Sequence, residues 1–334
     1  MMKAVFLNET PEAVGRVYAE KQMSRLNGLV ELYPKMITSV EDAHAAKDDL
    51  KDVEVAFSTW GMLKLTEEEI KECLPNLKAV FYGAGSVQYF ARPYLNAGVR
   101  VYSAWQANAV PVVQYAFAQI LLAMKGYFRV QPMTRRCRRE GHEFFKNYPG
   151  NYDTKVGLLG CGAIGSRIAE MLKPIDCEVL VFDPFLSEER AARLNVKKAE
   201  LDEIFATCDV VSNHLANLPA TVGIIKREHM LSLKPYATFI NTGRGPQLDE
   251  KDLYDALTQV PTRTALLDVM TDEGNSDTNP LNALENCLIT PHIAGSSGFE
   301  VRRMAEYMMD AFELFQKGEP CSYEVSMKML ETMA

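Results

Sequence analysis

The chain has 334 residues, 47% hydrophobic and 24% charged, with a formal net charge of −8 and a pI near 5.3. That length exceeds one ordinary core and predicts two domains, while the acidic balance argues against non-specific nucleic-acid binding, which needs a basic face. The seven cysteines are scattered and show no CxxC or Cys/His metal spacing, a pattern that fits a reducing cytosol and neither a disulfide framework nor a zinc site.

From the N-terminus, MMKAVFLNET lacks the long apolar core of a signal peptide. Residues 1–104 alternate strand-like runs, KAVFL (3–7), VEVAFST (53–59), LKAVFYGAG (77–85) and VRVYSA (99–104), with helical stretches. Among the latter, LTEEEIKECL (65–74) has Thr66 as its N-cap. Strands alternating with helices predict a parallel α/β sheet. The apolar stretch AVPVVQYAFAQILLAM (109–124) is interrupted by Gln114 and Gln119 and is shorter than a bilayer requires. It reads as a buried helix of a soluble, cytoplasmic protein. An arginine-rich, poorly periodic segment (126–152) follows; its cluster Arg135, Arg136, Arg138 and Arg139 reads as a solvated helix face.

A second, clearer α/β series then begins. KVGLLG (155–160), EVLVFD (178–183), DVVSNHLA (209–216), ATFINT (237–242), TALLDVM (264–270) and CLITPHIAG (287–295) are strands, each separated from the next by a helical or loop segment. The first runs into Gly160-x-Gly162-x-x-Gly165, with Cys161, Ala163 and Ile164 between the glycines. Glycine there permits a tight turn and lets a pyrophosphate approach the backbone at a helix N-terminus. Asp183 ends the next strand, where a carboxylate would accept bonds from an adenosine ribose diol. That carboxylate would repel a 2′-phosphate, and Phe185 and Leu186 offer no arginine to welcome one, so NAD is expected over NADP. Arg244, Asp268, Glu273 and His292 lie at or just past the ends of later strands. In a doubly wound sheet those ends share one ligand-binding edge. Arginine clamps a carboxylate bidentately, and histidine passes a proton near neutrality, oriented by a neighbouring glutamate. The last long helix is FEVRRMAEYMMDAFELFQKG (299–318), after which the tail could return to the first domain.

GLLGCGAIG, VFDP, INTGRGP, LLDV followed by Glu273, and ITPHIAGSS together resemble the D-isomer-specific 2-hydroxyacid dehydrogenase family, from about Leu77 to the end. The resemblance implies two Rossmann-like or flavodoxin-like doubly wound parallel-sheet domains with a cleft between them. The substrate domain would be discontinuous (1–105 plus 300–334) and the NAD-binding domain would span 106–299. It implies a hydride transfer between NAD(H) and a 2-keto acid/D-2-hydroxy acid pair, with no metal. Arg244, Glu273 and His292 fall on the catalytic positions, and Asp268 on the aspartate that holds the nicotinamide carboxamide. Gly160, Gly162, Ala163, Ile164, Gly165, Asp183 and Thr242 would line the cofactor. His214 lies either beside it or in a structural role. The turn YGAGSV offers backbone amides of Ala84, Gly85 and Ser86 to the substrate carboxylate. Trp60, Trp105 and Tyr82 either wall the substrate pocket or pack in the core. The family commonly has alanine where Gly243 sits, so a looser arginine loop is expected. A homodimer is implied; an NAD(H)-sensing corepressor-like protein on the same fold is the alternative. FSTWGMLKL holds no arginine for a substrate phosphate, which points away from phosphoglycerate.

Overall fold

The computed structural model describes residues 1–331. In chain order its strands are β1 (Met2–Phe6), β2 (Val30–Leu32), β3 (Val55–Ser58), β4 (Ala79–Tyr82), β5 (Arg100–Ser103), β6 (Tyr152–Leu159), β7 (Asp176–Phe182), β8 (Lys197–Lys198), β9 (Val210–Asn213), β10 (Thr238–Asn241), β11 (Thr264–Leu267), β12 (Cys287–Ile289) and β13 (Glu324–Val325). They divide between two compact units, Met1–Ala109 with the chain from Ser296 onward, and Val110–Gly295. Relative to the boundaries expected from sequence, the first unit extends four residues further at each junction.

The first unit holds a six-stranded sheet in the order β13-β5-β4-β3-β1-β2. All pairings are parallel except that of β13, which runs antiparallel to β5 with Glu324 opposite Tyr102. β3 and β4 are buried at every position, as uninterrupted apolar strands covered on both faces should be. Phe57, Phe81 and Tyr102 stack across neighbouring strands at 5.2 and 4.8 Å between ring centres, the cross-strand contact that stabilises a sheet face. The helix Arg302–Lys317 covers this sheet through Met308, Phe312 and their neighbours. Arg25 fixes it from the N-terminal side by bonding Glu306, Asp310 and Glu313, each at 2.7 Å. Thr66 caps the helix Glu67–Cys73 as expected and forms a reciprocal box with Glu69.

The second unit has seven parallel strands in the order β12-β11-β10-β9-β6-β7-β8. Alternate residues feed two separate cores. Leu159, Val211, Phe239 and Leu267 enter one, while Leu158, Val210, Ile240 and Leu266 enter the other. β6 is the first strand of the unit, and the chain proceeds to β7 on one side and to β9 on the other. The strand ends flanking β6 are therefore the topological switch point at which such sheets bind ligands. The segment that looked aperiodic in sequence contains two helices, Tyr127–Arg136 and Arg138–Phe145. Only Arg129 and Gly141 of these are buried, so neither helix contributes a fully buried large apolar residue to a core. The long helix is Trp105–Met124 and is apolar enough to cross a membrane by composition, with 50% of its most apolar window buried inside the protein.

Candidate active site

Sheet register places the chemistry. Phe182, Leu159, Asn213, Asn241, Leu267 and Ile289 are aligned across six strands at their C-terminal ends. The residue after each is, in the same order, Asp183, Gly160, His214, Thr242, Asp268 and Thr290. Backbone bonds carry the register one step past the strands: His214 N–H reaches Leu159 O at 2.8 Å, Asp268 N–H reaches Asn241 O at 3.0 Å, and Thr290 N–H reaches Leu267 O at 2.9 Å.

At the glycine turn, Gly160 has φ +93°, a region L side chains avoid. A Cβ at Gly165 would collide with the Gly160 carbonyl oxygen, so the helix Gly165–Leu172 can start against the turn only without a side chain there. Gly162 is exposed with open space in front of it, and Ile164, at the helix N-cap, makes no side-chain cap. The helix therefore presents its first N–H groups to an open cradle, the arrangement a pyrophosphate needs. Asp183 is fixed beside this turn: Oδ2 accepts from Cys161 N–H at 2.6 Å and Oδ1 from Phe185 N–H at 2.8 Å. Each oxygen keeps a further lone pair for a ribose hydroxyl. These residues fit a dinucleotide. Cys161 itself is buried, and burial pushes its thiol above the ordinary range, which suits packing rather than redox chemistry.

Sequence reasoning missed one cation here. Arg190, half-buried on the helix Glu188–Leu194, donates from Nη2 to the Cys161 carbonyl at 2.9 Å. The absence of arginine at Phe185 and Leu186 was therefore not the absence of a guanidinium from the turn. His214 reaches the turn by its backbone, whose carbonyl lies 2.9 Å from where a Gly160 Cβ would sit. Its ring is buried, with Nε2 2.9 Å from Ser212 Oγ and Nδ1 3.0 Å from Thr242 Oγ1. Burial lowers its pKa from 6.5 to about 3, so the ring is neutral and both nitrogens are occupied. The hydroxyl of Thr242 is likewise turned inward.

On the other side of the switch point, His292 Nδ1 lies 3.0 Å from Glu273 Oε2, with both side chains 47% exposed. His292 has φ +54°, unusual for a residue with a side chain. Asp268 holds that backbone in place. Its buried carboxylate accepts from Ile293 N–H (2.8 Å), Ala294 N–H (2.9 Å) and Thr290 Oγ1 (2.7 Å), and its carbonyl accepts from His292 N–H at 3.0 Å. The resemblance implied that Asp268 faces a carboxamide; in the structure the loop that carries His292 places two bonds on Oδ1 and one on Oδ2, which keeps a further lone pair. Tyr115 extends the same chain of contacts, its hydroxyl 3.1 Å from Thr290 Oγ1. Asp268, Glu273, Thr290 and His292 line a pocket of about 330 Å³.

Arg244 follows β10. Burial pulls its guanidinium below the ordinary range, and the Glu273 carboxylate counters this in part; the group remains charged. Nη1 donates to the Gly243 carbonyl at 2.7 Å, and among the described residues no carboxylate closes an ion pair with it. The Gly243 loop is not loose: Gly243 N–H bonds Asn241 Oδ1 and Arg244 N–H bonds Gln247 Oε1, each at 3.0 Å.

In the first unit, the Ala84 N–H is already bonded to the Tyr82 carbonyl at 2.9 Å, which removes it from the set of free donors. Gly85 is half-buried and Ser86 exposed, and Ser103 Oγ fixes the turn from behind through the Ala84 and Gly85 carbonyls. Asn108, which sequence did not single out, has its side chain 3.5 Å from the Cβ direction of Gly85. Tyr82 is a core residue whose hydroxyl meets that of Tyr89 at 3.3 Å, whereas Trp60 is 39% exposed. Among the described residues no cluster of His, Cys, Asp or Glu is placed to hold a metal ion.

The model of the D-isomer specific 2-hydroxyacid dehydrogenase NAD-binding domain matches residues 117–294, more than half of the chain. The chain belongs to this family. Within the D-isomer specific 2-hydroxyacid dehydrogenases it is similar to D-3-phosphoglycerate dehydrogenase of Archaeoglobus fulgidus, 29% identical over 79% of this chain and 50% of that protein. It is also similar to hydroxypyruvate reductase of Blautia hydrogenotrophica, 29% identical over 59% of this chain and 66% of that one. The chain thus spans about half the length of the phosphoglycerate relative. A solved phosphoglycerate oxidoreductase from Rhizobium etli shares its fold with a TM-score of 0.81, 17% identity, and coverage of 98% of this chain and 99% of that one. As a family member with the NAD-binding domain, the chain takes NAD as its cofactor.

Proposed function

We propose that this dehydrogenase interconverts a 2-keto acid and a D-2-hydroxy acid. The observation that carries the reading is a half-buried arginine, with no carboxylate in ion-pair contact among the described residues, on the same sheet edge as the His292–Glu273 pair. Arg244 binds the substrate carboxylate with its planar fork. Gly160, Gly162, Ala163, Ile164 and Gly165 hold the pyrophosphate and Asp183 the ribose; the bound nicotinamide supplies or accepts the hydride. Glu273 orients the His292 ring through Nδ1, leaving Nε2 to give a proton to the keto oxygen in reduction and to take it from the hydroxyl in oxidation. The NAD(H)-sensing alternative leaves that pair without a task.

The substrate class we infer is unphosphorylated, because Lys64, over the Tyr89 ring at 5.4 Å, is the one cation in FSTWGMLKL. A homodimer belongs to the same proposal, supported by the exposed Leu122 and Tyr127 near the end of the long helix and after it, and so does a cytoplasmic location. The test is reduction of glyoxylate, hydroxypyruvate, pyruvate and phenylpyruvate with NADH by wild type and His292→Ala. The variant should lose turnover about 10²–10⁴-fold with NADH affinity unchanged. Tight NADH binding by wild type without turnover of any acid would overturn the proposal.

A further inference from the structure

Gly243 does not serve backbone freedom, since its φ is not among the positive ones. It serves space. A Cβ at 243 would lie 2.6 Å from Gln247 Oε1 and 2.8 Å from Asn213 Nδ2, closer than such atoms approach. These two atoms are bonded to each other at 2.7 Å and belong to a closed set of three buried amides, Asn213, Asn241 and Gln247, each no more than 1% exposed.

Every side-chain nitrogen and oxygen of the three has at least one partner. Asn213 Nδ2 donates to Asn241 Oδ1 as well as to Gln247 Oε1, and Asn213 Oδ1 accepts from Leu215 N–H at 3.2 Å. Asn241 Oδ1 also accepts from Gly243 N–H, and Asn241 Nδ2 donates to the Arg244 carbonyl at 3.2 Å. Gln247 Oε1 also accepts from Arg244 N–H, and Gln247 Nε2 donates to the Leu215 and Ala216 carbonyls at 3.1 and 3.0 Å. Both main-chain polar groups of Arg244 are thus held by side chains. The far side of the network is fixed to the loop after β9, whose His214 carbonyl packs on the glycine turn. A satisfied buried network of this kind defines one geometry, and a broken one leaves polar groups stranded in low dielectric.

We propose that Asn213 and Gln247 are positioning residues for Arg244, and that the missing side chain of Gly243 is the space this amide network occupies. The positioning half rests on the reading of Arg244 as the carboxylate clamp. The steric half does not.

The experiment uses the full-length protein in four forms: wild type, Gly243→Ala, Asn213→Ala/Gln247→Ala, and the triple variant. Melting temperature, NADH Kd and keto-acid KM and kcat are read for each, with Gln247→Ala and Arg244→Lys alongside. Gln247→Ala should raise keto-acid KM by about tenfold or more, since small misplacements of a binding group are costly, while NADH Kd stays within about twofold. Gly243→Ala should lower the melting temperature and raise KM in wild type. In the network-free background it should change either by less than about twofold in KM or about 1 °C, the non-additivity of residues in contact. Equal effects of Gly243→Ala in both backgrounds would overturn the steric half, whatever the activity. An unchanged KM in Gln247→Ala would overturn the positioning half. Should Arg244→Lys leave KM unchanged, or wild type turn over no keto acid, the clamp reading fails and the positioning half with it, while the melting data still decide the packing.

Discussion

Asp268→Asn is the most informative single change outside the proposed proton-transfer pair, because it keeps shape and removes only charge and acceptor capacity. In the protein, three donors converge on this carboxylate: Thr290 Oγ1 and Ile293 N–H on Oδ1, and Ala294 N–H on Oδ2. An amide has one oxygen. Its best orientation keeps that oxygen at the Oδ1 position with two donors and turns the NH₂ group toward the Ala294 N–H, donor against donor. One bond to a charged acceptor is lost, worth about 1.5–3 kcal/mol, and a buried N–H is left unpaired. A loss of about 2 kcal/mol should lower the melting transition of the 110–295 unit by about 4–8 °C, at about 2–4 °C per kcal/mol for a unit of this size. Because the donors belong to the loop carrying His292 at φ +54°, the damage should be local as well. Hydrogen exchange, followed by mass spectrometry on the peptide spanning residues 290–296, should accelerate by about 30-fold, the same free energy read as an equilibrium constant. Unchanged exchange in that peptide together with a melting shift under about 1 °C would refute the idea that Asp268 anchors this loop.

Asp183→Ala should weaken NADH binding by about tenfold or more, the scale of a lost charged hydrogen bond. It should also narrow the preference over NADPH, because the cation of Arg190 at the same turn would remain unopposed; titration with both cofactors checks this, and an unchanged ratio would place the ribose elsewhere. His214, neutral in the native state with its pKa lowered to about 3, predicts an acid-limb effect. Between its unfolded value of about 6.5 and that native value the unfolded chain binds the extra proton, so this contribution to stability falls as pH falls. From pH 7 to 4.5 wild type should lose about 2–3 kcal/mol more than His214→Gln in urea titrations, at about 1.4 kcal/mol per pH unit below 6.5. Parallel pH profiles for the two proteins would contradict a buried neutral imidazole.

The parts legible in the sequence were those whose signal is local. The glycine turn, Asp183, and the run of apolar strands ending in polar residues each lie within a few positions of their own cause, and Thr66 with Glu69 wrote its helix cap into four residues. Strand periodicity then placed Arg244, Asp268 and the His292 loop on one edge before any coordinate. What escaped depends on partners far along the chain. Arg190 meets Cys161 across 29 positions, and Asn213 meets Asn241 and Gln247 across 28 and 34. Hence Gly243 read as slack, when it is the gap that a polar cluster fills. Edge strands β2, β8 and β13, of two or three residues, are too short for an alternation to register. The Ala84 amide looked available because a local turn bond to Tyr82 leaves no mark on composition.

The alignment of six strand ends makes the pairing of the second sheet a measuring rule for chemistry. Every polar group at the switch point is the first residue beyond a strand, or sits a few positions further on. If β7 slid by one residue against β6, Pro184 would stand where Asp183 does; the same slip in β11 would substitute Val269 for Asp268. Alternation would turn both strands over at the same moment, sending the side chains shaped for one core into the other. Errors of threading that would disarm the site are thereby the ones that also prevent the sheet from closing, so a chain that folds here has already set its reactive groups.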